Sequence, residues 1–251
     1  MMLAAFALSI IVFAGLDNSA AVRLNAGDAL ISVGLATTLY VIILKKTMNS
    51  NLAISLVLAY ITSYCFLRSW LFYPTITAIS RQMIPMYKSY FLRVPNIKID
   101  ENSIRTAVDF LLTYQSAIWG SMQILALFLG ILLFNRTSMF KTYVSHIRLS
   151  FFFVYALIAA MALTLYPDTR IWGINLLGCL AVIYLIQGTA VLSFAWGGFF
   201  SRTRFLRTML IMAVILNYPI LILIAFIGIL DVWFDFRKLS NMEEKHESNT
   251  N

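Results

Sequence analysis

The chain is written as long apolar blocks separated by short polar or basic stretches. A helix needs about 20 residues to cross a ~30 Å hydrocarbon core, and the blocks approach or exceed that length. Seven can be marked, at about 1–16, 29–44, 52–72, 118–134, 149–166, 171–197 and 208–232. Lipid offers a backbone no hydrogen-bond partners, so a chain at that depth must be helical. The predicted fold is all-α: a polytopic transmembrane helical bundle of about seven spans, one domain over 1–240, followed by a polar tail at 241–251 expected to be disordered. Residues 17–28 read as a polar link between the first two spans.

The connection between the third and fourth spans is different in kind. Pro74, Pro85 and Pro95 punctuate it and it is too polar to cross, yet Ile76, Ile79, Met83, Met86, Tyr87, Tyr90 and Phe91 recur at helical spacing. An interfacial amphipathic segment over 75–100 is expected, with a lid or partner-docking element as the other reading. Asp100 or Asn102 then caps a helix carrying Ile104, Val108, Leu111 and Leu112 along one side.

Composition agrees with the pattern. Hydrophobic residues make up 61% of the chain and mean hydropathy is +0.82, against ~45–50% apolar residues in soluble domains. Cys65 and Cys179 both fall inside apolar blocks, which favours packed thiols over a disulfide or a metal pair. The net charge of +8 is unevenly distributed. Loops after the second, fourth and sixth spans hold Lys45, Lys46, Arg136, Lys141, Arg148, Arg202, Arg204 and Arg207 and no acidic residue, while all eleven acidic residues fall on the other face. By the positive-inside rule the N-terminus and the basic loops are cytoplasmic, in a bacterial inner membrane, and the C-terminal tail lies outside. Arg68, near the end of the third span, is expected to snorkel to the headgroups.

Polar side chains within the last two spans are few: Asn175, Gln187, Asn217 and Asp231. Counted from the basic turn at 202–207, Gln187 and Asn217 fall at similar depth, so a side-chain hydrogen bond could join them, and Asn175 falls opposite Asp231. These residues read either as a structural clasp or as contacts to a small ligand. Asp231 and Asp235 share a helix face just before Arg237 and Lys238, which reads as an interfacial anchor or as the rim of a cation entrance. No phosphate-binding loop, zinc-protease helix or Cys/His cluster is present, and the two histidines, His146 and His246, lie in a basic loop and the tail. No carboxylate pair stands at matched depth for hydrolysis. A non-enzymatic protein is expected, with no catalytic residue, cofactor or metal, and no nucleic-acid partner.

The run YLIQGTAVLSF from Tyr184 to Phe194, a basic turn, a span with Asn217 and Pro219, and the ending GILDVWFDFRK from Gly228 to Lys238 together resemble the C-terminal half of the YybS-like family of bacterial multi-pass membrane proteins. The resemblance rests most on Gln187, Gly188, Gly228, Asp231, Asp235 and Arg237; upstream of Ile104 it is only a similar order of spans. The family is loosely grouped with the substrate-binding components of energy-coupling-factor importers. The resemblance therefore implies a small-solute-binding or transport-related component that depends on an energising membrane partner, docked in those importers through small residues of an early helix, here Ala5 and Ser9. The alternative is a structural scaffold of the bacterial envelope that recruits partners through the long connection and the tail. A solute site would show an enclosed polar pocket near Gln187 and Asn217. A scaffold would pack such residues directly together.

Overall fold

A computed structural model describes residues 19–91, 100–137, 144–196 and 217–238. Among the described residues there are eight α-helices and no strand. Four helices are long and apolar enough to cross a membrane: α1 (Ala20–Thr47), α2 (Ser50–Leu71), α5 (Gln115–Thr137) and α7 (Arg170–Trp196). Two more are apolar but shorter, α6 (Phe152–Leu165) and α8 (Tyr218–Phe234). The chain is a helical membrane protein. The first apolar block, Ala5 and Ser9, the basic turn at 202–207, and the tail with His246 lie outside the described residues.

Where a polar link was expected over 17–28, α1 is already helical from Ala20, capped by the Ser19 hydroxyl accepting from Val22 N at 3.3 Å. The charge that suggested a link, Asp28, is neutralised within the fold by Arg68, Nε to carboxylate 2.7 Å, so the helix continues past it. Arg68 is therefore not a snorkelling side chain; it is 7% exposed. Helix α1 passes through a π-helical stretch, Ala29–Leu35, in which the Ser32 hydroxyl donates to Asp28 O at 2.6 Å. Thr37 and Thr38 follow with similar bonds to Val33 O and Gly34 O. Such hydroxyls compete with the backbone for carbonyls one turn back. Met48, left-handed at φ 55°, ends α1, and the Asn49 carboxamide caps α2 at Leu52 N.

Helices α2 and α5 each continue past a bend into an amphipathic helix: α2 through Phe72 into α3 (Tyr73–Phe91), and α4 (Glu101–Thr113) through Tyr114 into α5. The bends lie side by side, because Ser69 and Ser116 join their hydroxyls across them at 2.7 Å. Helices α3 and α4 consequently leave the bundle together and pair through Lys88 and Glu101 at 2.6 Å. The segment expected to be interfacial is thus a helix to Phe91, with 92–99 outside the described residues. Asp100 occupies the N-cap of α4 without a side-chain bond, and Ile104 and Val108 are buried.

Helix α7 is the hub, packed on α5, α6 and α8. Small residues set each approach. A side chain at Gly178 would meet Ala117 Cβ at 2.7 Å, and one at Gly173 would meet Thr164 N at 2.7 Å and Ala160 O at 2.9 Å. At the junction of α2, α5 and α7, Cys65 and Cys179 are free, fully buried thiols; a Cβ at Gly120 would lie 2.8 Å and 2.7 Å from their sulfurs.

Candidate functional site

Helix α6 has 14 residues, about 21 Å of rise, which is short of a ~30 Å core. The four residues that follow the single 3-10 turn Val144–His146 and lead toward it, 147–150, are not helical, yet Ile147 and Leu149 are 1% and 3% exposed. Buried backbone without helical bonds must find partners elsewhere. Three successive N–H groups do so on side chains of other helices. Arg148 N donates to Asn51 Oδ1, Leu149 N to Gln187 Oε1 and Ser150 N to Ser55 Oγ, each at 3.0 Å. On the carbonyl side, Arg237 Nη1 donates to Ser145 O at 2.7 Å and Nη2 to Ile147 O at 2.8 Å.

The same residues close into a charged network. Gln187 Nε2 donates to Asp231 Oδ2 at 2.6 Å, and Arg237 Nη2 reaches that oxygen at 2.7 Å. Both side chains of the Asp231–Arg237 pair are 1% exposed and Gln187 has no exposed surface. The backbone arranges this return. Asp235 is the left-handed C-cap of α8 at φ 43°, and the turn after it, closed by Lys238 N to Asp235 O at 2.8 Å, brings Arg237 back beneath the helix end. Asp235 itself faces Arg148 at 3.9 Å. Two glycines permit the crossing: a side chain at Gly188 would collide with Ile224 O, and one at Gly228 with Tyr184 O.

Several expectations change here. Gln187 does not pair with Asn217, which is exposed at the N-cap of α8 and makes no side-chain cap bond. Pro219 stands in the first turn of α8, a position that its fixed φ and missing N–H favour. The partner Gln187 finds is a carboxylate, whose charge-assisted hydrogen bonds are roughly twice as strong as neutral ones. Asp231 and Arg237 are not an interfacial anchor or an entrance rim, since both are buried. Asp235 and Arg237 also contact the 145–148 segment, which the charge distribution had assigned to the opposite face.

Nor does Asn175 face Asp231. It is 4% exposed, accepts from Ala117 N at 2.9 Å and donates to Thr113 O at 3.0 Å and Ile171 O at 2.9 Å. It stands where the ladder is interrupted at the Tyr114 bend. Both amides of α7 therefore serve irregular backbone in a neighbouring element. A second buried pair went unread in the sequence: Asp28 accepts from Arg68 and from the Tyr64 hydroxyl at 2.9 Å, while the Arg68 guanidinium lies 4.6 Å from the Trp119 ring centre. The apolar block that begins directly after Asp28, and the one that holds Arg68, were the available signals. Among the described residues no group of three or more His, Cys, Asp or Glu side chains could hold a metal ion. No protein-family model, curated sequence or solved structure matches this chain.

Proposed function

We propose that this protein is a non-enzymatic structural or assembly component of a bacterial membrane, a bundle that holds the α3–α4 hairpin out for a partner. The observation that carries this reading is the state of Gln187: fully enclosed, with its amide oxygen on Leu149 N and its nitrogen on Asp231. Asn175, Gln187 and Asp231, which would have lined a solute site, are taken up by protein backbone and by one another. The hairpin, in contrast, exposes Met83, Met86, Tyr90, Phe110 and Leu111 beside a charged cleft of about 550 Å³ lined by Arg81, Lys88, Glu101, Arg105 and Asp109. Exposed apolar groups rimmed by charge mark protein or membrane contacts.

A photo-cross-linking residue at Met86 in cells tests this. A discrete protein adduct that disappears in a Tyr90→Glu, Phe110→Glu variant is expected. No adduct, together with a small molecule retained by the purified protein in native mass spectrometry, overturns it.

A second reading, a solute-binding component energised by a membrane partner, is favoured by a cavity of about 430 Å³ lined by Arg23, Leu24, Asp28, Tyr64, Phe72 and Thr75. It sits beside the buried Asp28–Arg68 pair, and intramembrane ionisable groups often mark ligand paths. A small molecule retained by wild type and lost on Thr75→Trp would favour this reading.

A further inference from the structure

We propose that a groove between α1 and α5 holds an acyl chain of an anionic phospholipid, with Lys45 and Lys46 receiving its headgroup. The groove has a volume of about 160 Å³ and is lined by Val33, Thr37 and Val41 of α1 and by Gln123, Gly130 and Phe134 of α5. Its walls are chiefly apolar. At the deep end Ser32 Oγ meets Gln123 Oε1 at 3.1 Å, and toward the other end Tyr40 and Phe134 pack edge to face with ring centres 6.2 Å apart. Open space is left at one point of the wall, because a Cβ at Gly130 would meet nothing within 4 Å.

Length and charge select the occupant. Thr37, Val41 and Lys45 are spaced by four, so they form one stripe that runs along the groove wall and ends in an exposed ammonium group. From Ser32 to Lys45 the helix rises about 20 Å, about two-thirds of a ~30 Å hydrocarbon core. A lipid with its phosphate at Lys45 would therefore lay its chain along the groove and end near Ser32. Lys45 and Lys46 lie in the last turn of α1, and no carboxylate lines the groove. This end of the groove is thus complementary to an anionic headgroup and not to a zwitterionic one.

The test uses the full-length protein in mild detergent, incubated with equal amounts of dioleoyl phosphatidylglycerol and dioleoyl phosphatidylcholine and examined by native mass spectrometry. Wild type should retain phosphatidylglycerol preferentially. Lys45→Gln with Lys46→Gln should reduce that preference by roughly fivefold per lysine, the weight of one cation beside an anionic surface. Gly130→Leu, which fills the groove without meeting a neighbour, should reduce retention of both lipids. Equal retention of the two lipids by wild type, or undiminished phosphatidylglycerol on Gly130→Leu, overturns the proposal. So does a lipid-free dimer, which would give the groove to a second copy. If Gly130→Leu yields no monodisperse protein, the lysine variant, altered only at exposed side chains, decides alone.

Discussion

Asp231 is the residue on which most of the buried polar network turns. It accepts from Gln187 and from Arg237, and Arg237 in turn holds two carbonyls of the 145–147 segment. Removing one member of a buried ion pair leaves the other charge without compensation, at a cost of about 3–5 kcal/mol, whereas replacing both with apolar groups is often neutral. Asp231→Ala should therefore lower stability by about that amount in thermal or denaturant unfolding in micelles, and Asp231→Leu with Arg237→Met by clearly less. Gln187→Leu removes the acceptor from Leu149 N, a buried donor that would cost about 1–3 kcal/mol unpaired, so it should fall below Asp231→Ala. A larger loss for Gln187→Leu than for Asp231→Ala would place the weight on the amide instead. The sequence singles these side chains out, because a polar group within a long apolar block is rare enough to notice. Their partners were not legible there. Depth counting along straight helices matched Gln187 with Asn217, but helix α8 starts at Pro219's turn, and the turn after Asp235 returns Arg237 to Asp231, neither of which periodicity reveals.

At the scale of the helices, close approach and bending shape the bundle more than hydrophobic periodicity does. Gly188 and Gly228 allow α7 and α8 to touch backbone to backbone. Gly188→Ala or Gly228→Ala must push the helices apart, and overpacking of this kind costs about 1–3 kcal/mol. Gly130→Ala, which meets nothing within 4 Å, should leave the melting temperature unchanged or raised; equal losses at all three positions would contradict the crossing described. The α3–α4 hairpin is held differently, by exposed charge. Lys88 and then Arg105 hold the Glu101 carboxyl well below the usual carboxylate range, at about 2. A carboxyl lowered on folding stabilises the folded form fully above its ordinary value of 4.5 and loses that effect as pH falls through its folded value. Hairpin pairing, followed by a fluorophore pair on α3 and α4, should be flat from pH 7 down to about pH 4.5 and loosen between there and about pH 2. Glu101→Gln should remove that acid step. The helices α3 and α4 could be anticipated from their apolar spacing. The paired bends could not, since they depend on Ser69, Ser116 and Asn175 meeting across three helices.

For the whole molecule, composition was enough to place it in a membrane, but counting charges over seven spans misassigned one end of the bundle. Sidedness from loop charges alternates with each crossing, so a single short or irregular span reverses everything after it. Here α6 is short and preceded by non-helical chain, and the contacts at that point join segments expected on two faces. Asn51 at the start of α2 holds Arg148, Arg148 faces Asp235 at the end of α8, and Arg237 reaches Ser145. The α1–α2 turn and the end of α8 must therefore emerge at the same end of the bundle. Met48 and Lys238 report on this directly, each left-handed and exposed at one of those two points. In separate Met48→Cys and Lys238→Cys variants, a membrane-impermeant maleimide should label both positions from the same side in oriented vesicles. The native Cys65 and Cys179 are fully buried and need not be removed. Labelling of the two positions from opposite sides would break the chain of contacts from Asn51 to Arg237, and with it the clasp on which the structural reading of this protein depends.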